Sequence, residues 1–301
     1  MTLLDDLISG ASGEASVASL LRQVKILASR TRAAFLAAWI EHELNGYPAD
    51  VELPPYRGPH QAHVLGHFMG GFGRELQNVQ IPSSGWDKKL EAASLFEIEL
   101  RESAAELGSM AAQDNVTLAW SANIVQNYNQ FVQSGLVQRI VTGDMVLVEA
   151  KIPVSRHLLV GVLDAVRNRI LDLALELEKV VPDAGQGDTS DAEQNLAAMV
   201  ITNHFHGPAN VAIGSSGVKQ TIKPPARGDL EDLVRYLQDV GVKPDLITNL
   251  RTAAEEDQED PGTGQGRWVR VRRWFADVAQ DAGTEAIGGA VAAAAVGFLG
   301  G

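Results

Sequence analysis

The sequence feature that most constrains the fold is an uncharged segment at residues 286–301. Its sequence, AIGGAVAAAAVGFLGG, contains no charged side chain, and small residues recur at every fourth position, namely Gly289, Ala293, Gly297 and Gly301. A helix with such a row can approach a neighbouring helix closely. The segment is therefore expected to leave water, either by entering a membrane or by packing inside the protein.

A basic and aromatic cluster, RWVRVRRW, precedes this segment at residues 267–274. Cations and indole rings favour the interface between water and lipid. With helical spacing, the cluster places its apolar residues on one face and its arginines around that face, as in an interfacial amphipathic helix. The alternative is a core-facing helix with a solvated basic side. The predicted membrane-interface residues are Trp268, Arg270, Arg272, Arg273 and Trp274.

The length of the uncharged segment limits how it can act on a bilayer. As a helix, residues 286–301 would extend about 24 Å, whereas a hydrocarbon core is about 30 Å thick. The segment would have to thin the bilayer, assemble in an oligomer or lie shallowly, with Gly289, Ala293 and Gly297 as its predicted packing positions. Glu285 would then lie at a pore mouth, where a carboxylate ring favours cations. A small-residue helix inside the fold and a disordered segment are the alternatives.

Overall composition narrows the possible functions. The chain has 301 residues, a formal net charge of -13 and no cysteine. The acidic charge argues against broad, non-specific binding of nucleic acid. Without cysteine there is no disulfide, thiol nucleophile or zinc-finger pattern. The first ten residues place Asp5 and Asp6 where an export signal needs positive charge, so no export signal is predicted and we expect a cytoplasmic protein.

Helical periodicity dominates the chain. Ser16 is a predicted N-cap, a bend is expected at 29–31, and Gly46 is expected to end the following helix. The most regular apolar stripe runs from 155 to 180, and VTGDMVLVEAKI predicts a strand after a turn. The other predicted elements are a short helix at 2–9, one or two strands within 51–84, and helices at 90–112, 228–240 and 245–254.

The predicted fold class is α+β and predominantly α-helical. A helical N-terminal domain with short strands is followed by a small β hairpin or meander, predicted from ITNHF, NVAIG and VKQTI, and then by C-terminal helices. Polar and acidic stretches mark a linker and an exposed loop. The predicted divisions are an N-terminal domain at 1–185, a linker at 186–199, a small β element at 200–225, a helical connector with an acidic loop at 226–266, and a basic amphipathic and apolar membrane-acting segment at 267–301.

Two stretches of the chain resemble a known family. SLLRQVKILASRTRAAFLAAWIEHELNGYPADVELPPYR at 19–57 and SRHLLVGVLDAVRNRILDLALELEKVVP at 155–182 are similar to the AbiTii-type abortive-infection domain of bacterial phage-defence proteins. The resemblance covers residues 2–185. A shorter run, NVAIGSS…KQTI followed by GDL and the 267–274 cluster, resembles the C-terminal part of such proteins.

The resemblance implies an effector that damages the host membrane when infection is sensed, similar to the membrane effector of the Hailong system. There, single-stranded DNA oligomers hold an oligomeric membrane protein inactive. By analogy, the expected partners are further copies of the chain (a tetramer is one option), inner-membrane lipid, and a nucleotide or single-stranded DNA oligomer made by a partner nucleotidyltransferase. The resemblance supplies no catalytic residues.

Two groups of basic residues are candidates for binding the phosphates of such a ligand. Arginine suits bidentate phosphate contacts, and Trp39, Tyr47 and Tyr56 offer faces on which bases could stack. The alternative is surface salt bridging within the helical domain. The candidate phosphate ligands are Arg22, Lys25, Arg30, Arg32, Arg156, Arg167 and Arg169.

No pattern in the sequence predicts an enzyme, a metal or a cofactor. His60 and His63 would point to opposite faces of a strand, and a pair such as His204 and His206 is incomplete for a metal. GSSG at 214–217 lacks the lysine of a phosphate loop. We therefore predict a non-enzymatic antiphage effector that oligomerises and disrupts the inner membrane. The alternatives are a soluble adaptor that senses nucleic acid or nucleotide, and an enzyme toxin with an unrecognised site.

Overall fold

The computed structural model describes residues 2–87, 90, 92–187, 189–206, 224–259, 268–281 and 285–300. The predicted fold class is confirmed, because helices dominate and the strands form small antiparallel sheets. The chain divides into two compact units, the first made of Met1–Glu41 with Val166–Gly301 and the second of His42–Ala165. The predicted domain end at residue 185 does not coincide with this division.

The elements are numbered in chain order. The helices are α1 (Leu3–Ser12), α2 (Val17–Arg30), α3 (Ala34–Asn45), α4 (Ala104–Ala111), α5 (Ala122–Gln133), α6 (Arg156–Val180), α7 (Asp191–His206), α8 (Leu230–Asp239), α9 (Pro244–Glu259), α10 (Val269–Asp281) and α11 (Glu285–Gly300). The strands are β1 (His60–Gln61), β2 (Val64–Met69), β3 (Glu75–Ile81), β4 (Glu97–Ile98), β5 (Val116–Ala119) and β6 (Val146–Val154).

The early helices of the chain begin and end at the predicted signals. Ser16 caps α2, and its side-chain oxygen accepts a hydrogen bond from the N–H of Ser19. Helix α2 ends at Arg30 and α3 begins at Ala34, which confirms the bend. Gly46 follows α3 with a φ of +92°, a conformation that favours glycine.

The long helix α6 confirms the predicted apolar stripe. Its buried apolar residues repeat at helical spacing in both units. This pattern is expected when a helix packs one face into a core. The fully or nearly fully buried members of the stripe are Leu159, Val162, Val166, Ile170, Leu173, Leu177 and Val180.

Helices α7 to α11 form a bundle in the first unit. Helix α7 packs against both α10 and α11, α9 packs against α10 and α8, and α11 packs against α8 and α10. Three predictions for this region are wrong. Most of the predicted linker and the run ITNHF lie in α7, and the acidic residues 255–259 complete α9. The predicted strands NVAIG and VKQTI, and GSSG at 214–217, lie outside the described residues.

The second unit is built on a four-stranded antiparallel sheet in the order β3-β2-β6-β5, with β1 and β4 as a separate pair. The strand predicted from VTGDMVLVEAKI is β6, and the strands expected within 51–84 include β2 and β3. Of the helix predicted at 90–112, only α4 is α-helical, because 92–96 is a 3-10 turn and β4 follows it.

Aromatic rings fill the core of the second unit. The ring of Trp86 lies 6.2 Å from that of Trp120 and 5.7 Å from that of Phe96, in both cases edge to face. Tyr128, from α5, is 2% exposed and contacts Trp86 and Phe68. Such edge-to-face pairs are a favoured geometry for aromatic side chains.

Candidate functional site

The uncharged segment forms α11 and is enclosed by the first unit. Eight side chains of the helix are at most 7% exposed, namely Leu299 and the seven residues named at the end of this paragraph. A helix that is apolar on all sides is found either in a protein core or in a membrane. In this conformation α11 lies in the core. This agrees with the alternative of a small-residue helix inside the fold. The residues concerned are Ala290, Val291, Ala292, Ala293, Ala294, Ala295 and Phe298.

Small residues let α11 approach its neighbours closely. A Cβ atom on Gly297 would lie 2.7 Å from the carbonyl oxygen of Pro225, and one on Gly288 would lie 2.7 Å from the Met199 Cε. The Nδ2 of Asn203 also donates a hydrogen bond of 2.7 Å to the carbonyl oxygen of Gly289. The partners of the row are thus α7 and the segment before α8.

Polar groups from elsewhere in the first unit satisfy the end of α11. The Nζ of Lys179 donates a hydrogen bond of 2.7 Å to the carbonyl oxygen of Gly300. The N–H of Gly228 donates a 2.9 Å bond to the carbonyl oxygen of Phe298. The last carbonyls of a helix have no partner within it. These bonds therefore fasten α11 to the end of α6 and to the turn before α8.

The predicted membrane-interface residues of α10 make contacts inside the first unit. The Trp274 Nε1 donates a 2.8 Å hydrogen bond to the carbonyl oxygen of Leu246, and the ring is 7% exposed. The Trp268 ring packs on Phe298, with 5.0 Å between the ring centres. These contacts give the two indole rings a structural role in the folded state.

The arginines of α10 are divided between internal contacts and solvent. The Arg272 Nε donates a 3.0 Å hydrogen bond to the carbonyl oxygen of Lys179, and burial lowers the pKa of its guanidinium. Arg270 pairs with Glu256 at 3.1 Å, whereas Arg273 is exposed. The cluster is therefore less available to lipid headgroups than its sequence suggests.

A buried carboxylate holds the start of α10. Asp257 is 2% exposed, and its oxygens accept hydrogen bonds from the backbone N–H groups of Arg270 and Val271 at 2.9–3.0 Å. An anion is stabilised there by the unpaired N–H groups and the dipole of the helix. The last turn of α9 is thus joined to the first turn of α10.

Several of the predicted phosphate ligands make contacts within the protein, and Arg167 makes the largest number of them. Arg167 donates hydrogen bonds to the carbonyl oxygens of Gly10, Ala11, Gly13 and Ala15, the shortest being 2.7 Å to Ala15. Its guanidinium therefore holds the end of α1 and the turn after it.

The other candidate ligands are also engaged or dispersed. In the first unit, Lys25 pairs with Glu41 at 2.9 Å, Arg32 pairs with Asp191 at 3.4 Å, and Arg30 donates to the carbonyl oxygen of Gly185. Arg169 lies over the Phe205 ring, 4.7 Å from its centre. Arg22 and Arg156 are exposed, the latter in the second unit. Lys25 and Arg32 thus form surface ion pairs, as in the salt-bridging alternative, whereas Arg30, Arg167 and Arg169 make contacts of other kinds.

The proposed stacking residues are likewise packed in the interior of each unit. Trp39 is 7% exposed and contacts the Phe205 ring, with 4.9 Å between the ring centres. Tyr47 and Tyr56 both donate hydrogen bonds of 2.7 Å to the Oε1 of Glu43. Their hydroxyl groups serve a buried carboxylate.

A buried ion pair, which sequence reasoning did not single out, organises the start of the second unit. Glu43 and Arg57 are both fully buried, and the Arg57 Nη2 lies 2.5 Å from the Glu43 Oε2. The Arg57 Nη1 donates to the carbonyl oxygens of Leu100 and Glu102 at 2.8 and 2.6 Å. Burial, followed by the charge of Glu43, raises the pKa of Tyr47.

Glu43, Tyr47, Tyr56 and Arg57 belong to the motif ELNGYP…LP.YR. This motif is the feature of the sequence from which the buried network could have been predicted. A motif rich in charged and tyrosine residues suggests a ligand site, but here it satisfies its own polar groups. Buried charges are costly unless they are paired and hydrogen-bonded. We infer that this part of the motif maintains the fold of the second unit.

The histidines form no metal centre in the described ranges, where no group of three or more suitable ligands is present. The His67 Nε2 pairs with Glu75 at 2.8 Å, and the His60 Nε2 lies 3.2 Å from the Tyr56 carbonyl oxygen. His204 pairs with Glu176 at 3.1 Å. His204 and His206 occupy helix α7 and not a strand.

The comparisons with known proteins extend the resemblance seen in the sequence. The model of the AbiTii family matches residues 2–203, about two thirds of the chain. No curated protein and no solved structure matches the chain significantly. Among the residues that the structure describes, no helix combines the length and the apolar character needed to cross a bilayer.

Proposed function

From the premise that the chain belongs to the AbiTii family, we propose that it is a bacterial antiphage effector that stores its membrane-acting helices inside its own fold. Family membership indicates a function in abortive infection. The proposal adds that α10 and α11 leave the bundle on infection and disrupt the inner membrane. In the resting state, the protein is cytoplasmic and its most apolar helix is covered.

The observation that carries the proposal is the burial of a helix, uncharged after Glu285, by neighbours that hold it through a few polar bonds. Lipid tails and a protein core are both apolar, so transferring α11 from one to the other does not require its exposure to water. The bonds from Lys179, Asn203 and Gly228 oppose the transfer. Each net hydrogen bond contributes about 1 kcal/mol, so these three bonds together oppose release by only about 3 kcal/mol.

The length of the helix determines the mode of action that we propose. As about 16 residues of helix, α11 extends about 24 Å, so shallow insertion or local thinning of the bilayer fits it better than a span by one helix. Several copies would then act together, with α10 at the interface and α11 below it. This activity needs no catalytic residue, cofactor or metal.

The regulator that the family resemblance suggests is a nucleotide or a single-stranded DNA oligomer, supplied by a partner nucleotidyltransferase. We propose that this ligand restrains the release of α10 and α11. Family resemblance supports this proposal. A cleft of about 390 Å³ beside α10 has Arg272 and Arg273 on one side, but Glu178, Asp183 and Glu193 also line it and oppose an anion.

The enclosure of α11 also favours a second candidate, a soluble adaptor that senses nucleic acid or nucleotide. In that case α11 remains a core helix in every state. The two candidates differ in what happens to lipid and agree on ligand binding. A measurement that follows both vesicle integrity and ligand binding therefore separates the two candidate functions.

Dye leakage from vesicles of phosphatidylethanolamine and phosphatidylglycerol tests the proposal, with the full chain and with or without short single-stranded DNA oligomers. The effector hypothesis predicts leakage that the oligomers suppress. Vesicles that stay intact at high protein concentration, while the same protein binds the oligomers, would overturn it and support the adaptor. Deletion of 267–301 is a poorer test, because it removes α10 and α11 from the bundle core.

A further inference from the structure

Helix α7 contacts the start of α11 through a methionine. A Cβ atom on Gly288 would lie 2.7 Å from the Cε of Met199 and 3.2 Å from its Sδ. The thioether therefore fills the space that glycine leaves at this position, and its sulfur lies at the contact between the two helices. Met199 is partly exposed, so this contact is at the surface of the bundle and not at its centre.

The next turn of α7 holds the neighbouring residue of α11. Asn203 lies four residues after Met199 on the same face of the helix, and its Nδ2 donates a hydrogen bond of 2.7 Å to the carbonyl oxygen of Gly289. An apolar contact and a hydrogen bond thus hold two consecutive residues of α11. A chemical change at Met199 acts directly beside that hydrogen bond.

The distribution of sulfur along the chain makes this contact distinctive. The chain has five methionines and no cysteine. Met69, Met110 and Met145 belong to the second unit, whereas Met199 is the methionine of the first unit within the described residues. Peroxides attack the sulfur of methionine and cysteine. In the described part of the first unit, the sulfur available to such an oxidant is therefore the one that touches α11.

A peroxide converts this thioether into a sulfoxide in one step. The sulfur attacks a peroxide oxygen, and the O–O bond breaks as the S–O bond forms. With hydrogen peroxide the leaving product is water, the sulfur loses two electrons and the peroxide gains them. The flexible apolar side chain becomes polar and chiral, and methionine sulfoxide reductases reverse the change.

A sulfoxide at Met199 disturbs both contacts with α11. The added oxygen needs space beside a sulfur that already packs against Gly288, and closely packed interiors respond to small changes in volume. The oxygen is also a hydrogen-bond acceptor one helical turn from the amide of Asn203, where it competes with the carbonyl oxygen of Gly289. Both effects weaken the hold of α7 on the start of α11.

We propose that Met199 is a reversible oxidation site for peroxides and that its sulfoxide loosens α11 from the bundle. This inference deepens the proposed function, because it assigns a chemical signal to the release of the stored helix. It rests on that function only for the consequence at the membrane. The loosening of α11 is a property of the protein alone and is measurable without lipid.

Limited oxidation of the full chain by hydrogen peroxide tests the proposal, with peptide mapping by mass spectrometry and amide hydrogen exchange as the readouts. We expect Met199 to gain an oxygen atom in the folded protein. Exchange in the first half of α11 should become faster by at least about fivefold, the factor expected for the loss of one net hydrogen bond. Methionine sulfoxide reductases should restore the original exchange rate.

Two variants separate this site from general oxidative damage. Met199→Leu retains a similar side-chain volume without the sulfur, so it should fold with about the native Tm and lose the response to peroxide. Met69→Leu is the matched control, because Met69 is 44% exposed and belongs to the second unit. Its response to peroxide should equal that of the native chain.

Several results would overturn the proposal. One is an unmodified Met199 in folded protein whose Met69 is fully oxidised, and another is faster exchange in α11 of peroxide-treated Met199→Leu. Oxidation of Met199 without faster exchange would also reject the switch and leave membrane action untouched. If the oxidised chain exchanges faster but neither form opens phosphatidylglycerol-containing vesicles, the oxidation site stands and the membrane-acting effector fails.

Discussion

The ammonium group of Lys179 caps the last turn of α11 by donating a hydrogen bond of 2.7 Å to the carbonyl oxygen of Gly300. A cation at this position also interacts favourably with the negative end of the helix dipole. Because Lys179 lies at the end of α6, the bond connects α11 to α6, the longest of the described helices. It is one of the points at which release of α11 would begin.

Replacing Lys179 by methionine removes this cap but retains most of the side-chain length. We expect the free energy of unfolding to fall by about 1 kcal/mol and the amide hydrogens in the last turn of α11 to exchange faster. Lys25→Met is the control, because Lys25 pairs on the surface with Glu41. Unchanged exchange in α11 of Lys179→Met would show that the cap does not hold the helix.

Gly297→Leu places a bulky side chain where α11 touches the backbone of Pro225. Even a Cβ would lie 2.7 Å from that carbonyl oxygen, so the helix has to move outward. We expect a cost of about 1–3 kcal/mol, seen as a lower Tm and as earlier proteolysis near α11. Gly161→Leu, at a position in α6 where a Cβ would meet nothing within 4 Å, should leave proteolysis near α11 unchanged and the Tm unchanged or slightly higher, because leucine favours a helix more than glycine does. Equal behaviour of the two variants would contradict the close contact.

Glu43→Gln should destabilise the second unit strongly. The change leaves the buried guanidinium of Arg57 without its counter-charge, which we expect to cost about 3–5 kcal/mol in chemical denaturation. Glu41→Gln is the matched control on the same helix, since its partner Lys25 is 57% exposed, and it should cost less than about 1 kcal/mol. A similar cost for both variants would refute the structural role of the motif.

Acid should loosen the tip of the hairpin between β2 and β3, around Phe72. Hydrogen bonding from the N–H of Gly71 lowers the pKa of Asp144 below its ordinary value of 3.8. A carboxyl with a lowered pKa stabilises the folded state fully above the ordinary value, and this stabilisation is lost as the pH falls through the lowered one.

The amide resonances of Gly71 and Phe72 should therefore shift in NMR spectra below about pH 4. In Asp144→Asn, these resonances should already resemble the acid form at neutral pH and should not titrate. A native-like titration in Asp144→Asn would assign the effect to another group.

Local signals in the sequence were sufficient for much of the fold. Ser16, Gly46 and the stripe of α6 act through neighbours three or four residues away, so their patterns are visible in one stretch of chain. Helix α7 was missed because ITNHF contains β-branched and aromatic residues that favour strands. Leu196, Ala197, Val200 and Ile201 are all buried at helical spacing, and packing against α10 and α11 decides the conformation.

The candidate site depended on contacts that the sequence does not show. The small-residue row predicted close helix packing, but whether the partner is lipid or α7 depends on the fold. The arginines likewise follow a pattern that fits either phosphate binding or internal hydrogen bonding. Arg167 illustrates the difference, because its partners are the carbonyl oxygens of the turn after α1, more than 150 residues away.

The most direct test of the stored-helix account is a reversible lock between α7 and α11. The chain contains no cysteine that could form a competing disulfide. A Cβ on residue 288 would lie 4.0 Å from the Met199 Cγ, and the sulfur of a cysteine at position 199 would occupy the place of that Cγ. A disulfide in the variant Met199→Cys/Gly288→Cys would thus tether the two helices. Reduction removes the tether, so each preparation is its own control.

Dye release from phosphatidylglycerol-containing vesicles by the oxidised and reduced forms of this variant is the decisive measurement. The account predicts no release by the oxidised form and, after reduction, release equal to that of the native chain. Equal release by the two forms, whether both open the vesicles or neither does, would contradict it.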